Sequence, residues 1–190
     1  MSPKTRGPAL GDGAGGEPLP ASTSLVLDST VLINLAKAGL LERLRGLPER
    51  LLVPWEVHQE TAVEGMRQGR PEGRSIADAA EEGILVLLPK ASAPALKEVS
   101  ERHRLRGADA AVIAQAMRCR GVACSDDAKV RKVASVEGVR CRGTGYLLAR
   151  LLKTGILTKE EAREYLDRMI GRGWWVTVET YARLLAELGI

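Results

Sequence analysis

Acidic residues recur at the ends of the predicted secondary-structure elements of this chain, and Asp28 is the first of them. It directly follows the apolar run Leu25–Leu27 and precedes a hydroxyl pair and a helix-like stretch. Three further acids stand at comparable positions, namely Glu60, Asp109 and Asp126. Carboxylates about 4 Å apart repel by roughly 4 kcal/mol per pair at an effective dielectric of 20, so a cluster of them needs a cation. Oxygen ligands suit hard divalent ions, and the pattern therefore predicts a metal site.

Asp109 lies in a predicted helix from Gly107 to Cys119, on the same face as Val112 and Ile113. An ionised side chain on an apolar helix face is costly unless it is paired or bound to a metal. The alternative is that Asp109 lies in the first helical turn only because an acid there favours the helix dipole.

Asp126 and Asp127 follow a buried-looking strand and begin the next helix, so either can be an N-cap. Because neighbouring side chains at a helix start point in different directions, we expect one metal ligand and one supporting carboxylate. Asp126, which is nearer the strand end, is the expected ligand. Ser29 and Thr30, beside Asp28, can hold a metal-bound water or cap the following helix.

Short apolar runs alternate with longer amphipathic stretches, which favours an α/β fold around a mostly parallel sheet. The predicted strands are Leu25–Leu27, Leu51–Val53, Ile84–Leu88, Val122–Cys124 and a weak edge strand at Val139–Cys141. After residue 145 the pattern becomes helical over Tyr146–Lys153, Thr158–Ile170 and Glu179–Leu188. Thr158 and Glu161 form a capping-box signature.

The order and context of the acids resemble those of the PIN-domain ribonucleases. The resemblance rests on four stretches and runs from about Leu25 to the C-terminus: Leu27–Leu41 with Asp28, Leu52–Pro54 followed by Glu60, Gly107–Ala114 with Asp109, and Ser125–Ala134 with Asp126. It is closest to the VapC-type toxins and a related PIN-like branch. The expected fold is an α/β/α sandwich with a central sheet of four to five strands and a helical C-terminal extension.

The resemblance implies a divalent-metal-dependent endoribonuclease with Mg²⁺ or Mn²⁺ as cofactor, the toxin of a toxin–antitoxin pair. Asp28, Glu60, Asp109 and Asp126 match the four acids of the family in order, with Glu56 as the alternative to Glu60. Asp28, Asp109, Asp126 and Asp127 are the implied metal-binding residues, and Asp127 matches a position that is often acidic in the related branch. Thr30 matches the small hydroxyl residue beside the first acid. The implied partners are an RNA substrate, a cognate antitoxin and a second copy of the chain.

Positive charge is concentrated near two of these acids. Residues 101–142 carry ten Lys and Arg against five Asp and Glu, in a chain whose net charge is +4. A basic rim around an acidic pocket suits a polyanionic substrate. Lys129, Arg131 and Lys132 are the candidates for phosphate contacts, and the alternative is that they form an ordinary solvated helix face.

The length of 190 residues and the hydrophobic content of 45% predict one globular domain. Residues 1–24 are expected to be a disordered tail, residues 25–143 the catalytic core, and residues 144–190 a helical extension packed on it. The longest apolar run, Ile84–Leu88, is far below the ~20 residues of a membrane span. Three cysteines without a metal-binding spacing suit a reducing cytoplasm.

Two rival enzyme classes fit less well. Aspartyl-phosphate phosphatases need a second Asp two residues after the first, where this chain has Thr30, and receiver domains place their acid pair at the first strand. The non-enzymatic rival is a PIN-like module that binds RNA or protein without cleavage. Trp174 and Trp175, in the C-terminal part, are expected to complete a core or an oligomer contact, and base stacking is the alternative.

Overall fold

The computed structural model describes residues 23–190, which form one sheet of five parallel strands surrounded by helices. The tail expected at residues 1–24 lies outside the described residues, apart from Thr23 and Ser24. The strands are Ser24–Leu27 (β1), Arg50–Val53 (β2), Val86–Leu87 (β3), Val122–Cys124 (β4) and Arg140–Arg142 (β5).

Helices connect the strands and continue after the last one. They are Ser29–Ala38 (α1), Trp55–His58 (α2), Glu64–Arg67 (α3), Pro71–Glu81 (α4), Ala93–His103 (α5), Gly107–Cys119 (α6), Ala128–Val136 (α7), Thr144–Lys153 (α8), Lys159–Gly171 (α9) and Val178–Leu188 (α10). A 3₁₀ turn, Leu41–Gly46, precedes β2, and a π turn, Gln59–Val63, joins α2 to α3. The predicted capping box at Thr158 and Glu161 is confirmed at the start of α9. Within residues 23–190, no helix combines the length and apolarity that crossing a membrane requires.

The central strand β1 is covered on both faces. Successive side chains of a strand point to opposite faces, and Leu25, Val26 and Leu27 are all fully buried. Parallel sheets are generally covered by helices in this way. The expected α/β sandwich is therefore confirmed, whereas the boundary expected at residue 143 stays a prediction.

The strand order is β3-β2-β1-β4-β5, so the chain moves outward from β1 in one direction and returns to its other side at β4. Val26 pairs with Leu52 of β2 and with Ala123 of β4. The crevice between the carboxyl ends of β1 and β4 is the topological switch point, where open α/β sheets bind their ligands. Asp28 follows β1 at this crevice, and the pair Asp126 and Asp127 follows β4.

The helix that carries Glu60 packs unusually close to α4. A Cβ atom added at Gly73 of α4 would lie 2.6 Å from the Met66 backbone nitrogen and 2.8 Å from the Gly65 carbonyl carbon. These are backbone atoms of α3, directly after the π turn, so they cannot rotate out of the way. Gly73 therefore fixes the distance between α4 and the segment that contains Glu60.

Gly73→Ala is expected to lower the free energy of unfolding by about 1–3 kcal/mol, the usual cost of overpacking. Denaturant unfolding of the purified variant measures this loss. Gly171→Ala is the matched control, because Gly171 ends α9 and an added Cβ meets nothing within 4 Å. Equal stability of the two variants would contradict the tight contact between α3 and α4.

Candidate functional site

Asp28 is the buried centre of the site, with 2% of its surface exposed. Its backbone N–H donates to the carbonyl of Cys124 at 2.9 Å, which fixes it to the end of β4. Its Oδ1 accepts a hydrogen bond from the Ser29 N–H at 2.7 Å, and its Oδ2 accepts one from the Ser125 hydroxyl at 2.6 Å. Burial, followed by the charges of Asp109 and Glu60, raises the pKa of Asp28 from 3.8 to about 6, against the lowering effect of its two hydrogen bonds.

Glu60 lies in the π turn, and the Ser29 hydroxyl donates to its Oε2 at 3.1 Å. Its charge acts on both Asp28 and Asp109. A π turn inserts a residue into a helix and so changes which side chains face a given direction; such turns are frequent at functional sites. Glu56, the alternative second acid, instead has both carboxylate oxygens buried without a hydrogen-bond partner among the described residues.

Asp109 lies in the first turn of α6, whose bounds agree with the predicted helix. Its pKa is raised mainly by burial and next by the charges of Asp127 and Glu60, while Arg106 and Lys129 act in the opposite direction. These electrostatic couplings, together with those of Asp28, link four carboxylates: Asp28, Glu60, Asp109 and Asp127. We call this group the acidic cluster.

Asp126 has different surroundings from its neighbour Asp127. Its Oδ2 accepts hydrogen bonds from the Thr144 hydroxyl at 2.6 Å, the Trp174 indole N–H at 2.9 Å and the Asn34 amide at 3.4 Å. Its Oδ1 accepts the Thr144 backbone N–H at 2.8 Å. Asp126 thus joins the end of β4 to α1, α8 and the segment before α10.

Asp127 is the N-cap of α7, and its Oδ1 accepts from the backbone N–H groups of Lys129 and Val130 at 2.7 and 2.9 Å. The residue is exposed, and its charge raises the pKa of Asp109. The two neighbours thus have different surroundings. Asp127 is the one whose charge acts on Asp109.

Ser125 is the residue of this site that sequence reasoning missed. It is fully buried, donates its hydroxyl to Asp28 and accepts the Asp127 N–H at 3.1 Å. It therefore fixes the first acid relative to the last. The sequence feature that could have indicated this role is a serine between a strand and a pair of acids. Serine is common near helix starts for other reasons, so this feature is not specific. Thr30, by contrast, is exposed.

The three residues predicted to bind RNA differ in their contacts. Lys129 is exposed, and its ammonium group donates to the Arg104 carbonyl. Arg131 is half-buried and donates to the Ser125 carbonyl at 3.4 Å, whereas Lys132 is exposed on α7. Arg106, at the N-cap position of α6, is a further cation beside Asp109.

Comparison with known proteins supports the same fold. A family model described as a PIN domain matches residues 24–189. Among solved structures, the crystal structure of PAE2754 from Pyrobaculum aerophilum matches with a TM-score of 0.50, covering 70% of this chain and 98% of that one. The identity is 16%, so this likeness concerns the fold alone. No curated protein matches the chain.

Proposed function

Because the chain belongs to the PIN-domain family, a family whose members are in general metal-dependent nucleases, we propose that it is a divalent-metal-dependent endoribonuclease. The observation that carries the proposal is the buried carboxylate of Asp28 at the switch point of the sheet, with the charges of Asp109 and Glu60 acting on it. A buried carboxylate beside other acids is costly even when it accepts hydrogen bonds, so its presence in a crevice suggests a function.

The residues of the acidic cluster fit a hard divalent ion. All four offer carboxylate oxygens, which Mg²⁺ and Mn²⁺ prefer over nitrogen or sulfur. Within residues 23–190, no three acidic, histidine or cysteine side chains stand close enough together to enclose a metal. Mg²⁺ retains several waters and commonly takes only one or two protein carboxylates, so an open cluster is compatible with it.

Asp28, Asp109 and Asp127 are the proposed metal-binding residues, one or two of them binding directly and the others through water, and Glu60 is a further ligand or a water-orienting base. Of the two neighbouring aspartates implied as ligands, the proposal keeps Asp127 and omits Asp126, because the oxygens of Asp126 already accept four hydrogen bonds. Ser29 and Ser125 hold Glu60 and Asp28 in position. The bound ion would activate a water molecule and stabilise the charge that develops on the scissile phosphate. Arg106, Lys129 and Lys132 would contact phosphates of the RNA backbone.

The resemblance to VapC-type toxins extends the proposal. In this extension the protein is the toxin of a toxin–antitoxin pair, acts in the cytoplasm as a homodimer, and is inhibited by a cognate antitoxin that covers the acidic cluster.

The purified protein is expected to cleave a mixed pool of structured and single-stranded RNA when Mg²⁺ or Mn²⁺ is present. Cleavage is followed by gel electrophoresis, and metal binding by calorimetry. RNA cleavage should be abolished by EDTA and by the Asp28→Asn substitution. The variant Glu164→Gln, which changes an exposed acid on α9, should cleave normally. Absence of both cleavage and metal binding would instead favour the non-catalytic PIN-like binding module.

A further inference from the structure

A cavity of about 590 Å³ lies between α7, β5, α8, α10 and the segment before α10. We call it the C-terminal cavity. Asp126 forms part of its wall, and the next residue, Asp127, belongs to the acidic cluster. Its size is within the roughly 300–1,000 Å³ typical of ligand pockets. The cavity and the acidic cluster are thus linked through the consecutive residues Asp126 and Asp127, one in the cavity wall and one in the cluster.

The two adjacent tryptophans of this region have opposite environments. Trp174 is 7% exposed and donates its indole N–H to Asp126, as a packing role predicts. Trp175 also lines the cavity but is 81% exposed. Its backbone lies between the buried Trp174 and Thr177, which caps α10. The indole of Trp175 is thus attached to a well-positioned segment while most of its surface is free to meet a ligand.

The polar groups of the cavity suit an anion next to an aromatic ring. Arg131 and Arg183 line its wall, together with Thr177 and Thr180, whose hydroxyls are hydrogen-bonded to each other at 3.1 Å. Guanidinium groups form strong, directional hydrogen bonds with phosphates. Among the described residues that line the cavity, Asp126 is the acidic one, and its oxygens already accept hydrogen bonds within the protein. Charge complementarity therefore favours a phosphate-bearing occupant.

We propose that the C-terminal cavity is a subsite for one unpaired nucleotide of the substrate RNA, with the base stacked on Trp175 and a phosphate near Arg183 and Arg131. This inference rests on the proposed function, since it takes the strand from the acidic cluster into the cavity. Aromatic side chains bind single strands in this way because every base has a flat face, whereas bases within a duplex are already stacked. The subsite thus makes the enzyme selective for single-stranded regions.

The test uses the full chain with Asp28→Asn, so that RNA is bound and not cut. Fluorescence anisotropy measures the affinity for a labelled single-stranded RNA and for the same strand in a duplex. Trp175→Ala is expected to weaken single-strand binding about tenfold, within the range reported for loss of one stacked base, and to leave duplex binding unchanged. Arg183→Gln should weaken binding of the single strand and lower its salt dependence.

Two substitutions act as controls for Trp175. Val178→Ala removes another largely exposed apolar side chain, three residues further on and 80% exposed, and should change affinity less than twofold. Trp175→Phe retains an aromatic face and should recover most of the affinity that Trp175→Ala loses. Single-strand RNA should also quench tryptophan fluorescence in the parent protein but much less in Trp175→Phe.

Unchanged single-strand affinity in Trp175→Ala would overturn the subsite. So would a sedimentation experiment in which Trp175→Ala converts a dimer to a monomer with the same affinity for RNA, because the exposed ring would then serve self-association. Cleavage by the unsubstituted protein is scored separately. Cleavage with no effect of Trp175 refutes only the subsite, whereas Trp175-dependent binding without cleavage refutes the nuclease and leaves the cavity as a binding site for single-stranded RNA.

Discussion

Replacing Asp28 by asparagine is expected to abolish RNA cleavage and, at the same time, to remove a pH-dependent loss of stability from the metal-free protein. Loss of a metal ligand should exceed the 10–100-fold effect typical of residues that merely support one, so cleavage should fall by more than about 100-fold. The stability effect has a different origin. It comes from the cost of holding a charged carboxylate in a buried position beside two other acids.

The direction of the pH effect follows from the pKa of Asp28, which is about 6 in the folded protein and near 3.8 when the chain is unfolded. Between these values the folded protein binds a proton that the unfolded chain has released. Stability therefore falls as pH rises from about 4 to about 7. The shift corresponds to at most about 3 kcal/mol from this group, since one pKa unit equals about 1.36 kcal/mol. The Asp28→Asn variant lacks this contribution.

Denaturant unfolding in EDTA at pH 5 and at pH 8 measures the effect. Between pH 5 and pH 8 the free energy of unfolding of the parent should fall by more than that of Asp28→Asn. Glu164→Gln serves as the control, and its profile should parallel that of the parent. At pH 8, Mn²⁺ at about 100 times its Kd should stabilise the parent by about 2.7 kcal/mol and Asp28→Asn much less. If the free energies of unfolding of the parent and Asp28→Asn changed in parallel with pH, the claim that the charged Asp28 carboxylate destabilises the folded protein would be wrong.

The main elements of the fold could be predicted from local sequence because each has a local cause. The apolar runs at Leu25–Leu27 and Val122–Cys124 become the central strands, and the helix Gly107–Cys119 has the predicted bounds. The strand predicted at Ile84–Leu88 is shorter than expected. Ile84 and Leu85 donate their N–H groups to the carbonyl of Ala79 and so complete the end of α4, which leaves Val86 and Leu87 for β3.

Other features depend on contacts between distant residues and have no local signature. The position of β4 beside β1 comes from tertiary packing of strands nearly a hundred residues apart. The π turn that contains Glu60 lies in a stretch whose composition is that of an ordinary helix, so its register could not be read from the sequence. The same limit applies to Asp126 and Asp127, because cap geometry decides which neighbour faces which way.

These two neighbouring aspartates are expected to respond oppositely to the same substitution. Asp127→Asn keeps an N-cap residue that is as favourable as Asp, so stability should change by less than about 0.5 kcal/mol. Cleavage should nevertheless fall by more than about 100-fold, because a carboxylate of the acidic cluster is lost. Thermal unfolding and RNA cleavage, measured on the same preparation, give both quantities.

Asp126→Asn should instead lower the free energy of unfolding by about 2–4 kcal/mol. In either orientation the new amide nitrogen faces an obligatory donor: the backbone N–H of Thr144 on one side, or the Trp174 indole N–H on the other. Thr144 is fully buried, so water cannot replace an acceptor lost there, whereas Trp174 borders the C-terminal cavity. Well below its melting temperature, the variant should retain cleavage to the extent that it remains folded.

A folded but inactive Asp126→Asn together with an active Asp127→Asn would reverse this assignment. In that case Asp126 would be the metal ligand, as its position next to the strand end first suggests, and binding of the ion would have to displace the Trp174 indole from it. The tryptophan fluorescence of the parent would then change when metal is added. If Asp127 is the ligand, the hydrogen bond between Trp174 and Asp126 stays intact, and the fluorescence of Trp174 should be insensitive to metal.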